Sequence, residues 1–228
     1  MKSDEVIGQL KAHSNPVAVE GMARFGINPT NALGVSLPVL RKMAKEIGLD
    51  HGLAQDLWAS EIHEARLLAS MIEDPQQVSA SQMEAWVKDF DSWDVCDQCC
   101  SNLFDKTKLA HQKAVEWSSM KEEFVKRAGF ALMAALAVHD KNAGNSRFQR
   151  FLPIIERESD DERNFVRKAV NWALRQIGKR NQSLNLLALK TAKRIQKRDS
   201  KSARWIASDA IRELMSQSVR QKLQKDRK

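Results

Sequence analysis

The chain has 228 residues, and its 37 Lys and Arg against 29 Asp and Glu give it a net charge of +8 and an isoelectric point near 9.5. Its hydrophobic fraction of 43% is enough for a buried core and excludes a wholly disordered protein. No apolar run approaches the roughly 18 residues that cross a bilayer, no secretory segment follows Met1, and three cysteines do not make a disulfide framework. These features predict a cytoplasmic protein without a membrane partner.

Apolar residues recur with helical spacing along the whole chain, and no stretch alternates with the period of a β-strand. The pattern predicts helices over 3–13, 16–25, 37–48, 51–59, 62–73, 79–90, 92–104, 107–117, 121–139, 146–158, 161–178, 182–198 and 201–217. Start signals support several of them, among them Pro38 after Ser36-Leu37 and Pro75 after Asp74. Nine glycines, five prolines and no tyrosine argue against a β-sandwich or β-barrel, which needs many turns.

The predicted helices are joined by short loops, which is typical of antiparallel neighbours. Pairs that repeat every ~35–45 residues predict an all-α fold, a superhelical stack of antiparallel helix pairs of the HEAT-like α-solenoid type. A compact helical bundle is the alternative. No linker divides the chain, so we expect a single domain over 1–228.

The positive charge is concentrated at the end of the chain. Residues 161–228 carry 19 Lys and Arg against 6 Asp and Glu, a net +13, whereas residues 1–160 carry a net −5. This asymmetry favours a polyanionic partner, with nucleic acid ahead of an anionic membrane surface. For the last residues, 219–228, we adopt the simpler interpretation of a frayed basic tail exposed to solvent.

Two segments resemble metal motifs but lack the necessary ligands. His63-Glu64 begins like the zinc-protease helix motif, yet Leu67 stands where the second histidine ligand is required. Cys96 and Cys99 form a lone C-x-x-C without a matching pair. The sequence therefore predicts neither a metal site nor a cofactor.

The first candidate site lies in Ser92-Trp93-Asp94-Val95-Cys96-Asp97. Asp91 and Asp94 are explained as acids at the start of a helix, where the helix dipole favours them. Asp97 lies four residues after Trp93, so the carboxylate and the indole share one helix face. One interpretation is a solvated acid beside a packed tryptophan. The other is a carboxylate beside an aromatic wall, which stabilises a developing cation or orients a water.

The second candidate is Arg127, which opens a stretch without charged residues that continues through Val138. Such a stretch predicts a buried helix, in which an unpaired guanidinium is costly. Arg127 therefore either pairs with a carboxylate inside the fold or points at an anion in a groove, and both interpretations stay open.

The third candidate is the helix over 161–178, whose apolar stripe predicts the core-facing side. That stripe consists of Val166, Ala169, Val170, Ala173, Leu174 and Ile177. On the opposite side lie Lys168, Trp172, Arg175 and Lys179. Core packing is the usual role of a tryptophan. An indole among cations, away from the apolar stripe, instead suits stacking on a sugar or base while the cations hold phosphates.

Taken together, these residues resemble the AlkD-like DNA alkylation-repair family of HEAT-like-repeat DNA glycosylases. The resemblance runs through most of the chain and is carried by Ala12–Pro16, Met22–Phe25, Ser92–Asp97, Lys126–Ala128 and Arg167–Arg175. It implies that Asp97 is the catalytic carboxylate and that Trp93 and Trp172 are aromatic walls around the deoxyribose. It also implies that Arg127 contacts the DNA backbone or cleft and that Arg175 faces DNA. We expect Lys168 and Lys179 to bind DNA with them.

The resemblance also implies the activity. Members of the family excise N3- and N7-alkylated purines from double-stranded DNA as monofunctional hydrolases, working from the backbone side without a base pocket and without a cofactor. The expected partner is therefore duplex DNA that contains alkylated purines, bound by a monomer. Some relatives bind DNA without excising bases, so a non-catalytic protein that recognises DNA structure or damage is the alternative. A helical scaffold for another protein is a third hypothesis.

Two departures from the family pattern bear on the lesions that the protein accepts. Phe25 stands where members of the family carry tyrosine, and Ser36-Leu37 precedes Pro38 where characterised members have more polar residues. By the resemblance, both positions lie near the helix that faces the lesion.

Overall fold

The computed structural model describes the backbone of residues 1–225 and the side chains of residues 1–224. Its helices are α1 Ser3–Ala12, α2 Pro16–Arg24, α3 Leu37–Ile47, α4 His51–Ala59, α5 His63–Ile72, α6 Ala80–Lys88, α7 Trp93–Asn102, α8 Ala110–Trp117, α9 Glu123–His139, α10 Asn145–Gln149, α11 Phe151–Arg157, α12 Asn164–Gly178, α13 Gln182–Ile195, α14 Lys201–Leu214 and α15 Gln217–Lys225. The described residues contain no β-strand, and none of their helices is both long and apolar enough to cross a membrane. The all-α prediction is confirmed.

Side chains at the helix starts explain several of the boundaries. Asn15, Asp50, Ser79, Asn181 and Ser200 each accept a hydrogen bond from a backbone N–H of the first turn that follows. Pro occupies the first turn of α2 and α3, where a missing N–H costs nothing.

The structure departs from the predicted helices in two places. The predicted helix over 146–158 is divided into α10 and α11, with Arg150 between them. The expected frayed tail, 219–228, is helical as far as Lys225, because Val219 and Leu223 recur at i, i+4 and are both buried. Its last three residues lie outside the described part of the chain.

The chain forms two compact units, Met1–Thr107 and Lys108–Lys228, and the single-domain organisation stays a prediction. In the first unit, α3, α5 and α7 pack side by side, and α4 packs on α5. The indole rings of Trp58 on α4 and Trp86 on α6 stack with their centroids 3.9 Å apart. The α3–α5–α7 layer carries the first candidate site on α7.

In the second unit, α9, α12 and α14 pack side by side. Helix α8 packs on α9, and α13 packs on both α12 and α14. The core of α9 consists largely of alanine, with Phe130, Leu132 and Met133 fully buried among them. The α9–α12–α14 layer carries the remaining candidates: Arg127 on α9, and Lys168, Trp172 and Arg175 on α12.

Several polar contacts in each unit share the same sequence separation. In the second unit the separation is 38 residues for the pairs Arg127–Phe165, Glu156–Arg194, Asp160–Arg198, Asn171–Asp209 and Arg175–Glu213. In the first unit it is 31 residues for Leu33–Glu64, Trp58–Asp89 and His63–Asp94. Within a unit, such a shared separation is typical of helix pairs that repeat along the chain. The separation differs between the two units, so no single repeat length describes both.

Candidate nucleic-acid interface

The indole of Trp93 is held at the start of α7 by the loop that follows α2. Trp93 Nε1 donates a hydrogen bond to the Phe25 carbonyl oxygen at 2.9 Å. The buried hydroxyl of Ser92 accepts from the Asn28 backbone N–H at 3.0 Å, and the Asn28 side chain donates to Asp91 at 2.7 Å. These contacts fix the entry to α7 and leave the indole half-buried. Asp91 therefore binds the loop that follows α2, whereas the sequence suggested that it stabilises the start of α7.

A second pair of contacts joins the start of α5 to the same helix. His63, which is 5% exposed, shares a hydrogen bond of 2.9 Å between its Nε2 and the Asp94 carboxylate. Burial lowers the pKa of His63. The hydrogen bond and charge of Asp94, with the charges of Glu64 and Asp91, more than offset that effect and raise the pKa above its usual value. Asp94 is thus used to hold α5 and α7 together.

Glu64 organises the loop that ends before α3. Its buried carboxylate accepts backbone N–H bonds from Leu33 at 2.8 Å, Gly34 at 2.6 Å and Val35 at 3.2 Å. Three converging donors offset the cost of burying a charge. The His63-Glu64 dipeptide, which resembled a metal motif, therefore has a structural use. Sequence reasoning missed this role, because the partners are backbone groups of a distant loop.

Asp97 lies one turn beyond Trp93 on the same face of α7, and both side chains are half-buried. The opposite side of the helix is buried and carries Cys96, Cys99 and Cys100. Burial is the main cause that raises the pKa of the Cys100 thiol, and the charge of Asp97 contributes to it. All three cysteines are thus buried core residues, and the partly exposed face of α7 pairs an indole with a carboxylate.

In the second unit, the predicted stripe of α12 is confirmed, because all six of its apolar residues are fully buried. Trp172 lies off that stripe and is half-buried, whereas Lys168, one turn earlier, is exposed. With its amide oxygen turned toward them, Gln176 accepts hydrogen bonds from Trp172 Nε1 at 3.1 Å and from Lys179 Nζ at 3.3 Å. The partly exposed side of α12 therefore presents an indole whose orientation is fixed.

Two of the predicted DNA-binding cations already have acidic partners on α14. Arg175 forms an ion pair with Glu213 and lies 3.5 Å from Asp209, and Lys179 Nζ lies 2.6 Å from Glu213. Burial raises the pKa of Glu213, but the hydrogen bond from Lys179 and the charges of both cations lower it below its usual value. Among the described residues Lys168 has no carboxylate partner, so it differs from Arg175 and Lys179.

Arg127 lies inside the α9–α12–α14 layer. It is 5% exposed and donates a hydrogen bond of 2.6 Å from Nη1 to the Phe165 carbonyl oxygen at the start of α12. This backbone carbonyl is a partner that neither sequence interpretation included. The guanidinium thus links the first turn of α12 to α9, and its DNA contact stays a prediction.

Sequence reasoning also missed Trp205 on α14. It is 40% exposed, more than any of the other five tryptophans. The guanidinium of Arg167 lies over its ring, 5.2 Å from the centroid. The signal that points to it is the 38-residue separation of the second unit, which also relates Arg167 to Trp205.

The described residues contain no group of three or more His, Cys, Asp and Glu side chains that could hold a metal ion.

The sequence model of a family described as DNA alkylation repair enzyme matches residues 6–214 of the chain. No curated protein matches it. Among solved structures, a protein described as one of a new family related to the HEAT-like repeat DNA glycosylases, with affinity for branched DNA structures, aligns with a TM-score of 0.78 at 21% identity, over 93% of this chain and 95% of its own. A designed armadillo repeat protein in complex with the peptide (KR)4 gives a TM-score of 0.37 at 17% identity, over 82% of this chain and 79% of its own. The first alignment confirms the predicted HEAT-like fold, and the second is too weak to support an argument.

Proposed function

Because the chain belongs to the DNA alkylation repair enzyme family, we propose that it is a DNA glycosylase. Its substrate is duplex DNA that contains cationic N3- or N7-alkylated purines, and it hydrolyses the N-glycosidic bond as a monofunctional enzyme and a monomer. The observation that carries this proposal is the face of α7, on which the Trp93 indole and the Asp97 carboxylate lie one turn apart and are both partly exposed.

The arrangement suits a reaction whose leaving group is already activated. The positive charge of an alkylated purine weakens its bond to C1′. When that bond breaks, the electron pair leaves with the base, which becomes neutral, and the deoxyribose becomes an oxocarbenium-like cation. The Asp97 carboxylate and the indole face of Trp93 stabilise that cation, as carboxylates do in sugar hydrolysis. A water oxygen then bonds to C1′ and releases one proton to the solvent. This chemistry requires neither a metal nor an organic cofactor.

The proposal assigns the second unit to DNA binding. Trp172 supplies an aromatic contact with a deoxyribose of the bound DNA. Lys168 holds phosphates directly, because it is exposed and has no described carboxylate partner. Arg175 and Lys179 share Glu213, so a phosphate that binds them competes with that carboxylate. We propose that Arg127 acts from within the layer through its bond to the Phe165 carbonyl, since its side chain is buried.

The decisive experiment measures purine release from methylated duplex DNA by the wild-type protein and Asp97→Asn. We expect the variant to lose at least about a hundredfold in the rate of N7-methylguanine or N3-methyladenine release, because an amide cannot supply the negative charge. Its DNA affinity should stay within about twofold of the wild type. Asp56→Asn, an exposed residue on α4, is the charge-matched control and should release purines normally. Equal rates for wild type and Asp97→Asn would refute the catalytic role.

The second candidate function is recognition of DNA structure without excision. The affinity of the structurally similar protein for branched DNA favours it, as does the exposed Trp205. Binding that weakens steeply with salt, without release of any purine from alkylated DNA, would decide for this function. Release of an alkylpurine that depends on Asp97 would decide against it.

A further inference from the structure

The exposed surface of α12 and α14 contains an aromatic and cationic patch of which the proposed function uses only Lys168. We define the Trp205 patch as Arg167, Lys168, Lys201, Arg204 and Trp205. On α14, Lys201 lies one turn before Trp205, and Lys201, Arg204 and Trp205 are all exposed. A large exposed indole is uncommon without a partner, since tryptophan usually lies in a core or an interface.

The contacts between α12 and α14 fix the position of the indole. Three pairs with a 38-residue separation follow one another at intervals of one turn: Arg167–Trp205, Asn171–Asp209 and Arg175–Glu213. The second is a hydrogen bond of 2.7 Å, and the third is an ion pair. In the first pair the guanidinium covers one part of the ring at 5.2 Å from its centroid. The indole is thus held in place, and 40% of its surface stays exposed.

The charges of the Trp205 patch are largely uncompensated. No carboxylate within the described residues pairs with Arg167, Lys168 or Lys201, whereas Arg204 contacts Asp199 at 3.1 Å. Arg167 has only a weak hydrogen bond to the Asn164 side chain, at 3.3 Å. The second and third pairs, in contrast, include acidic residues. The α12–α14 surface therefore becomes cationic at its Trp205 end.

We propose that the Trp205 patch binds an unpaired nucleobase of DNA, with Trp205 stacking on the base and Arg167, Lys168 and Lys201 holding the flanking phosphates. Cations around an aromatic ring form the usual site for single-stranded nucleic acid, because every base has a face on which an indole can stack. Inside a duplex those faces are covered by neighbouring base pairs. The patch therefore selects DNA with an unpaired segment, such as a branch point or a single-stranded tail. The inference rests on the proposed DNA binding but not on base excision.

The test compares two probes, a blunt duplex and the same duplex with a short single-stranded thymine tail. We expect the wild-type protein to prefer the tailed probe, and Trp205→Ala to lose about tenfold in affinity for it, since stacking is worth about 1–3 kcal/mol per base. Affinity for the blunt duplex should change little. Trp205→Phe, which keeps an aromatic ring, should recover part of the loss. Leu186→Ala, which removes a 63% exposed side chain on α13, is the matched control and should bind both probes normally.

A second measurement reports on the cations. The double variant Lys168→Gln and Lys201→Gln should lose about two phosphate contacts. The slope of log affinity for the tailed probe against log salt concentration should therefore become shallower by about two. Lys190→Gln, an exposed position on α13, should leave it unchanged.

The outcomes separate this inference from the proposed function. If Trp205→Ala binds both probes as the wild type does, or loses affinity for both equally, the Trp205 patch is not a site for an unpaired base, while the proposed DNA binding stands. If the wild-type protein binds neither probe, both the patch and the DNA-binding function are refuted. Thermal unfolding of each variant verifies that the affinities belong to folded protein.

Discussion

His63 and Glu64 show how two adjacent residues determine the geometry of a candidate site to which neither contributes directly. His63 bonds to Asp94 on α7, and Glu64 accepts three N–H groups from the loop that precedes α3. The backbone N–H of His63 also donates to the Asn31 carbonyl at 3.0 Å. Because the loop after α2 in turn holds the Trp93 indole through the Phe25 carbonyl, these two side chains support the orientation of Trp93.

We expect His63→Gln to reduce stability in a pH-dependent way. The pKa of His63 is raised in the folded protein, so its stabilising contribution is fully present below the unfolded value of about 6.5 and is lost as the pH rises through the folded pKa. The difference in unfolding free energy between wild type and variant should therefore be about 1 kcal/mol larger at about pH 5.5 than at about pH 9. Urea unfolding at both pH values measures it. His13→Gln, at an exposed position, should show no such difference.

At the scale of helices, close approach between α8 and α9 depends on a glycine. A β-carbon at Gly129 would lie 2.5 Å from the backbone nitrogen of Ser118 and 3.0 Å from the carbonyl oxygen of Ala114. Both are backbone atoms of α8 or of the residue that ends it, so they cannot move aside as a flexible side chain does. Gly8 on α1, in contrast, has no atom within 4 Å of such a β-carbon.

These two glycines predict opposite effects of the same substitution. Gly129→Ala should lower the unfolding free energy by about 1–3 kcal/mol, because α8 and α9 must separate. Gly8→Ala should raise it by about 0.5–1 kcal/mol, because alanine favours the helix and meets no neighbour. Chemical denaturation of both variants tests the pair. A loss of stability in Gly8→Ala, or none in Gly129→Ala, would contradict this account of the packing.

Over the whole molecule, the basic C-terminal third is less available to a polyanion than its net charge suggests. Many of its cations pair with acidic residues, as Arg194 does with Glu156 and Arg198 with Asp160. Other cations of this region, among the described side chains, contact neither a carboxylate nor a backbone carbonyl. They are Arg167, Lys168, Lys190, Lys193, Lys197, Lys201, Arg220 and Lys222. Half of the sixteen described Lys and Arg side chains of this region thus stabilise the helix stack through contacts with carboxylates or backbone carbonyls, and the other eight remain for DNA.

The distribution of pKa shifts predicts that acid weakens the second unit first. There, hydrogen bonds and nearby cations lower the pKa of Glu158, Asp161 and Glu213 despite the opposing effect of burial. The stabilisation that such carboxylates contribute is fully present above their pKa in the unfolded chain, which is about 4. It is lost as the pH falls through their lower pKa in the folded protein. The His63 contribution in the first unit is retained on acidification. Hydrogen exchange after incubation near about pH 3.5 should show α9, α12 and α14 losing protection before α5 and α7. Equal loss in the two units would contradict this.

The amino-acid sequence by itself determined most helices, the apolar stripe of α12 and the shared face of Trp93 and Asp97. These features depend on spacing along one helix, where a period of 3.6 residues relates side chains directly. Only the tertiary structure decided which groups bind one another across elements. It paired Arg175 and Lys179 with Glu213, Arg127 with the Phe165 carbonyl, and Glu64 with a distant loop, and it left Trp205 exposed. Each of these depends on the register between segments that lie 29 to 38 residues apart along the chain. That register is set by how the buried faces pack, and no periodicity within a single helix encodes it.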